Sequence, residues 1–297
     1  MSSQSLKTAR SKVNDEFFTL YDDVAAECEY YKEYFAGKSI LLPCDTEESA
    51  FWIYFSRYFK ELGLTKLVAT HKEEGPSYYL ELTENGADKI LIDSDGDFFS
   101  KEMQEILEQC DIVVTNPPFS REAEMVKLIL EKGKNLLLIG CETLMVHREL
   151  FWLFAKRQLR VGFNSVKRFF TPEGTYQSFG NVTWITTFPV TPKGHSRPST
   201  TKYDPARNLP YSNYGAINVD RVSEIPIDYD GIMGVPITYL KRPLDNYEIL
   251  GLGGGGVSAA NKLYGDVPYH KGMPDKGGSP MIGDAHKFVR VFIRKKI

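Results

Sequence analysis

From Ser39 onward, short aliphatic runs alternate with amphipathic stretches. Ser39-Ile-Leu-Leu-Pro43, Lys66-Leu-Val-Ala-Thr70, Ile112-Val-Val-Thr115 and Asn135-Leu-Leu-Leu-Ile-Gly140 have the composition of strands buried on both faces. Between them, Glu47 to Leu62 places Ala50, Phe51, Tyr54, Phe55, Tyr58, Phe59 and Leu62 at helical spacing and ends at Gly63. Residues 100–109 and 121–132 read as two more helices, the second ending at Gly133. Ser77–Leu82 and Lys89–Ile92 add strand around a Glu84-Asn-Gly-Ala turn. Upstream, residues 1–13 are polar and basic, and a helix follows Asn14-Asp-Glu-Phe-Phe-Thr19 to about Phe35. This alternation predicts an α/β fold, a Rossmann-like and mostly parallel central sheet with helices on both faces.

The rhythm changes after Gly140. Thr143 to Arg157 is expected to be helical, with strands at Leu159–Phe163 and Asn181–Phe188 flanking a loop. From Pro189 the text is rich in Pro, Gly, Ser, Asn and Tyr, and only Ile232–Tyr239, Tyr247–Leu250 and Lys287–Arg294 suggest strands. The expected organisation is a catalytic domain over residues 1–189 and an irregular recognition region over 190–297 packed on it.

Charge sharpens this division. The net charge of −3 conceals an acidic first part, with 26 Asp and Glu against 15 Lys and Arg in residues 1–140. The remaining residues carry 13 and 21, a net +8. Such a split suits a nucleotide-handling half and a half that faces a polyanion. No apolar run approaches the length of a membrane span, and the N-terminus lacks a signal-peptide core, so a cytoplasmic protein is expected. Cys28, Cys44, Cys110 and Cys141 form no C-x-x-C pair and no ligand cluster with histidine, so neither disulfides nor a metal are expected.

The chemistry concentrates where the third buried run stops. Asp111-Ile-Val-Val-Thr-Asn-Pro-Pro-Phe-Ser120 ends a strand in two prolines, which cannot continue a central ladder. A helix follows, so Asn116, Pro117, Pro118 and Phe119 stand at the carboxyl end of a strand, where open α/β sheets bind ligands. An exocyclic amine on a nucleobase is a weak nucleophile because its lone pair is delocalised into the ring. The Asn116 side-chain oxygen and the Pro117 carbonyl would accept its two hydrogens, stabilise the developing positive charge and orient the lone pair. The prolines hold that carbonyl rigidly, and Phe119 would stack on the target ring.

Three further clusters fall at or near strand ends: Asp15-Glu-Phe-Phe-Thr19, Leu42-Pro-Cys-Asp45 with Glu47, Glu48 and Ser49, and Asp93-Ser-Asp-Gly-Asp-Phe98. Together with the N-P-P-F tetrad they resemble an S-adenosylmethionine-dependent methyltransferase. In that arrangement Phe17, Thr19, Pro43, Cys44, Asp45, Glu48, Ser49, Asp97, Phe98 and Asn116 would hold the cofactor, with Asp97 accepting from the adenine amino group. Taken alone, the acidic loop at Asp93–Asp97 suits a solvated turn or a cation site, and Glu47 and Glu48 suit the first turn of a helix.

Asn14-Asp-Glu-Phe-Phe-Thr19, Leu42-Pro-Cys-Asp45 in place of a glycine loop, Thr115-Asn-Pro-Pro-Phe-Ser120 and Phe179-Gly-Asn-Val-Thr-Trp184 resemble the EcoRI-type adenine-specific DNA methyltransferases. Gly234-Val-Pro-Ile-Thr238 and Tyr247-Glu-Ile-Leu-Gly251 are similar to the carboxyl-terminal part of that family. The resemblance implies a class I methyltransferase fold and transfer of a methyl group to N6 of an adenine flipped out of duplex DNA. It also implies a restriction–modification setting, with a cognate endonuclease as a candidate partner, or phage self-protection. The strand at Lys66–Thr70 does not end in the acidic residue that usually holds the cofactor ribose.

Within the segment 169–179, Phe179 is the expected second aromatic wall for the flipped base. Arg168, Arg197, Lys202 and Arg290 are the expected DNA contacts, drawn from a larger set of basic residues in the second half. N4 of cytosine, an RNA base and a protein glutamine amide present related amines, and a non-catalytic DNA-binding protein would share the fold. Gly251-Leu-Gly-Gly-Gly-Gly256 matches G-x-G-x-x-G, but glycines and prolines break any helix after it, so a flexible loop is expected rather than a dinucleotide site.

Overall fold

The computed structural model describes residues 18–70, 77–171, 174–189, 199–254, 262–270 and 277–296. The chain divides into two compact units, residues 1–142 with 159–191, and residues 143–158 with 192–297. The stretch 143–158, which the sequence groups with the first region, therefore belongs with the second. There Arg157 donates to the Pro243 carbonyl and to Asp245 at 2.9 and 2.6 Å.

The first unit is built on an eight-stranded sheet. Its strands are β1 (Ser39–Pro43), β2 (Lys66–Thr70), β3 (Ser77–Thr83), β4 (Gly86–Ile92), β5 (Ile112–Thr115), β6 (Asn135–Cys141), β7 (Arg160–Ser165) and β10 (Val182–Thr186). A separate two-stranded hairpin joins β8 (Arg168–Phe170) to β9 (Tyr176–Ser178). The sheet order is β4-β3-β2-β1-β5-β6-β10-β7. The four central strands β2, β1, β5 and β6 pair in parallel. Only β3 and β10 run against the others, so the sheet is mostly parallel, as the alternation predicts.

The helices of this unit are α1 (Tyr21–Cys28), α2 (Lys32–Phe35), α3 (Ala50–Arg57), α4 (Lys101–Glu108) and α5 (Glu122–Glu131). Ser49 and Ser100 cap α3 and α4, accepting from Trp52 N and Met103 N at 3.0 and 3.2 Å. The helix expected up to Phe35 is interrupted by a 3-10 turn at Glu29–Tyr31, where Tyr31 leaves the helical region at φ −116°. The core gathers Val24, Tyr31 and Phe35, the α3 aromatics, alternate residues of the central strands, and Trp184.

Glu27 is a buried carboxylate in this apolar surrounding. It accepts from Tyr31 Oη, Phe163 N and Asn164 N at 2.8 Å each, and from Asn164 Nδ2 at 2.9 Å. These bonds tie α1 to β7. Gly162 leaves room for them, because a Cβ there would fall on Glu27 Oε1 and on Trp184 Cβ.

In the second unit, β11 (Ile217–Asn218), β12 (Met233–Pro236), β13 (Tyr247–Gly253) and β16 (Arg290–Lys295) form a four-stranded sheet in the order β11-β12-β16-β13. A hairpin of β14 (Met281–Ile282) and β15 (Ala285–His286) accompanies it. The long helix expected at 143–157 is instead a 3-10 turn at Glu142–Val146 and the short α6 (Phe151–Ala155), which stops before Arg157 at φ +58°. Gly251 and Gly253 are strand residues, not loop. A Cβ at Gly251 would strike the Tyr264 main chain, and one at Gly253 would lie 2.7 Å from the Phe292 ring. Gly255 and Gly256 lie outside the described residues. Among the described residues no helix is long and apolar enough to cross a membrane.

Replacing Glu27 by Ala leaves Tyr31 Oη and two backbone N–H groups without an acceptor in the core. The expected loss is about 3 kcal/mol or more of stability, measured by denaturant unfolding. Glu27→Gln, which keeps an acceptor oxygen, is expected to lose less.

Candidate active site

The order of the sheet places the site. The chain leaves β1 for β2 on one side, and later enters β5 on the other side of β1. The sheet reverses its order of growth between β1 and β5, and in open α/β sheets ligands bind beyond the carboxyl ends at such a switch point. Two loops follow those ends, Cys44–Ser49 after β1 and Asn116–Phe119 after β5. They are bolted together, for Thr115 Oγ1 donates to the Pro43 carbonyl at 2.7 Å in a buried hydrogen bond. Asp45 N donates to the Thr70 carbonyl at 2.9 Å, which ties in the end of β2 as well.

The glycine expected in a phosphate- or cofactor-binding loop is replaced by conformation. Cys44 adopts φ +68°, a left-handed geometry uncommon for residues other than glycine. Cys44 is exposed, and the turn it makes directs Asp45 inward, where only 7% of the residue is accessible. Burial pushes the Asp45 carboxyl up from the ordinary 3.8 to about 7, and a hydrogen bond from Ser49 opposes this only in part. Its Oδ2 is buried with no hydrogen-bond partner.

Among the described residues, Thr19 Oγ1, Ser94 Oγ and Asn181 Oδ1 are likewise buried without partners. All four oxygens lie at the carboxyl edge. Ser94 follows β4, and Asn181 precedes β10, whose first residue pairs with Cys141 at the end of β6. Thr19 follows Phe18, which bridges to Phe170 in the β8–β9 hairpin between β7 and β10. Buried polar atoms are nearly always satisfied, so oxygens left over at one edge are candidates to meet a polar ligand. Ser94 and Asn181 were not singled out in the sequence, although both lie inside clusters that were.

The remaining expected cofactor residues divide. Pro43 is buried and supplies the carbonyl that Thr115 engages. Ser49 caps α3, and Glu48 is exposed. Phe17 lies outside the described residues. Phe98 is buried, with its ring edge-on to Phe99 at 5.4 Å. Asp97 accepts from Phe99 N at 2.9 Å and is paired with Arg121 at 3.2 Å, and the same guanidinium lies 3.7 Å over the Phe99 ring. Arg121, the second residue after the N-P-P-F tetrad, thus anchors the 93–100 loop at the start of α5. Sequence inspection missed it, because nothing in the chain signals a pairing across 24 residues.

In the tetrad, Pro117 and Phe119 are buried while Asn116 and Pro118 are partly accessible. Arg121 N donates to the Pro118 carbonyl at 3.0 Å, closing the turn into α5. Glu122, buried in the first turn of α5, accepts from Cys141 N at 2.9 Å and joins this turn to the end of β6. Phe119 is only 2% exposed. It meets Phe179 and Phe169 edge-on, at 5.7 and 6.2 Å between ring centroids. Phe179, the expected second aromatic wall, is a buried member of this aromatic cluster.

Of the expected DNA contacts, Arg168 and Lys202 are exposed, and Arg197 lies outside the described residues. Arg290 departs from the expectation. It is 7% exposed, and its guanidinium is taken up by Asn218, Asp220 and the Phe288 and Val289 carbonyls. Its cost of burial is offset by these partners, which makes it a structural residue.

Comparison with known proteins shows the family. The model of the family described as adenine-specific methyltransferase EcoRI matches residues 5–296. The type II methyltransferase M.EcoRI of Escherichia coli is 32% identical over 308 residues, covering 90% of this chain and 94% of that protein. The type II methyltransferase M.MpnI of Mycoplasma pneumoniae is 34% identical over 259 residues, covering 78% and 80%. The chain belongs to the EcoRI family of adenine-specific methyltransferases.

Proposed function

We propose that this enzyme transfers a methyl group from S-adenosylmethionine to N6 of an adenine in duplex DNA, with the target nucleotide rotated out of the helix. The observation that carries the proposal is the junction of the Asn116–Phe119 turn with the Cys44–Ser49 loop at the switch point of the sheet, fixed by the Thr115–Pro43 hydrogen bond. In this reading Asn116 and the Pro117 carbonyl form a rigid pair of acceptors for an amine, beside the sheet edge that carries the buried oxygens of Thr19, Asp45, Ser94 and Asn181.

Those oxygens fit the cofactor. A buried carboxyl held near neutrality suits the α-ammonium of an amino-acid moiety, which would draw it into the ionised form. Thr19 and Ser94 offer hydroxyls for a nucleoside's polar edge, and Phe98 an apolar neighbour. When bound, S-adenosylmethionine supplies an electrophilic methyl on a positively charged sulfur.

Asn116 Oδ1 and the Pro117 carbonyl accept the two N6 hydrogens and localise the lone pair on nitrogen. They stabilise the positive charge that builds there as the N–C bond forms and the S–C bond breaks with its electron pair left on sulfur. The surplus N6 proton then leaves to water. An amine inside a base pair is out of reach of this turn, which is the physical need for base flipping, at a cost of a few kcal/mol. Exposed cations such as Arg168 and Lys202 suit phosphate contacts, and the excess positive charge of the second half suits a polyanion.

Incubation with labelled S-adenosylmethionine and mixed-sequence duplex DNA, followed by nucleoside mass spectrometry, is expected to yield N6-methyladenine. N4-methylcytosine would overturn the choice of base, and the absence of any methylated nucleoside would overturn DNA as substrate. Asn116→Ala is expected to lower kcat by about 100-fold or more while duplex affinity in a gel-shift assay stays within a few-fold.

Asp45 gives a test through pH. Its carboxyl is raised in the folded protein, so its neutral form is the favoured one. Stability from this group is therefore greatest at low pH and is lost as pH rises from about 4 to about 7. Asp45→Asn is expected to flatten that fall in the Tm of the ligand-free protein. Cofactor binding near pH 6 is expected to release a proton in the wild type and none in Asp45→Asn, read by calorimetry in buffers of different ionisation enthalpy.

A further inference from the structure

The β8–β9 hairpin has two unlike faces. Phe169, with its ring 6.2 Å from Phe119 and 5.6 Å from Phe179, points into the core. Its neighbours on the other face point outward: Phe170 is 37% exposed and Tyr176 64% exposed. These two are cross-strand partners whose rings meet at 5.5 Å and 68°. Arg168, on the same face, holds its guanidinium 5.8 Å from the Tyr176 ring. Phe18, 52% exposed, bridges Phe170 through paired backbone bonds of 2.8 and 2.9 Å.

A cross-strand aromatic pair steadies a hairpin, and an exposed contiguous aromatic patch is also a place for a partner to sit. This one is held stiffly. Thr171 N donates to the Thr175 carbonyl at 2.8 Å, and the two threonine hydroxyls meet at 3.0 Å. The hairpin rises from the carboxyl edge between β7 and β10, and is attached back to back with the aromatic cluster of Phe119. A face made of two rings and a guanidinium has the chemistry that stacks nucleobases beside a phosphate backbone.

We propose that Phe170 and Tyr176, with Arg168, form the surface that stacks on the bases left uncovered when the target nucleotide leaves the duplex. This rests on the proposed function above. The hairpin thereby offsets the lost base stacking outside the catalytic pocket, and Phe169 couples it mechanically to Phe119. Arg168 disfavours an apolar protein partner, because burying its guanidinium against apolar atoms would cost its hydration.

The test compares wild type with Phe170→Ala, Tyr176→Ala and the double variant on two duplexes that carry the methylated site. One duplex is fully paired, and in the other the target adenine lies opposite an abasic position, which removes part of the flipping cost. On the paired duplex the double variant is expected to lose about 10- to 100-fold in kcat/KM. Most of that loss is expected to be recovered on the abasic duplex, and Tyr176→Trp is expected to retain activity on both.

An equal loss on both duplexes, or no loss on either, overturns the proposal. So does a wild-type dimer by light scattering that the double variant dissolves, since the face would then be a protein interface. Unchanged Tm separates these outcomes from misfolding, and Tyr176→Ala, at a highly exposed position, keeps the test open where Phe170→Ala unfolds. Wild-type protein that methylates no DNA defeats the proposed function itself. Wild-type methylation with indifferent variants defeats only the hairpin.

Discussion

The site depends on one short hydrogen bond, from Thr115 Oγ1 to the Pro43 carbonyl at 2.7 Å. It joins the last residues of two neighbouring parallel strands just before each strand gives way to a functional loop. The pairing Ile40 with Ile112 and Leu41 with Val113 sets the register that allows it. A slip by one residue would exchange the two buried faces of β5 and separate the two loops. The strand interiors thus determine where Asn116 stands relative to Asp45. The two prolines, and the Arg121–Pro118 backbone bond, keep the turn from relaxing afterwards.

Around that joint the protein accepts local instability. Cys44 takes a left-handed backbone, and Asp45 is held in the interior with one oxygen unsatisfied. Nothing in folding rewards these features, since a glycine and an apolar side chain would be more stable there. Their concentration at a single edge of the sheet contrasts with Glu27, whose four donors satisfy a carboxylate that is also buried. The two acids differ in that Glu27 is fully satisfied by its own fold and Asp45 is not.

Basic charge in the second unit serves both purposes. Arg157 is paired with Asp245, Arg294 with Glu248, and Asp220 is shared by Arg290 and Lys287. The positive excess that suggests a polyanion partner therefore overstates the number of cations open to one. The glycines of this unit follow a similar logic. Gly234 and Gly253 make room for the rings of Tyr211 and Phe292, which build the small core beneath the four-stranded sheet.

The sequence by itself determined the central strands, most of the helices of the first unit and the place of the N-P-P-F turn. All three are written in local patterns of hydrophobicity, proline and glycine that need no distant partner. Only the tertiary structure decided that Arg121 holds Asp97, that Phe179 is buried while Phe170 and Tyr176 face outward, and that Arg290 is spent inside its own unit. Each of these turns on which side of a strand meets the core, or on an ion pair between residues far apart in the chain. A short hairpin or an irregular module, with no long periodic run, carries no record of either.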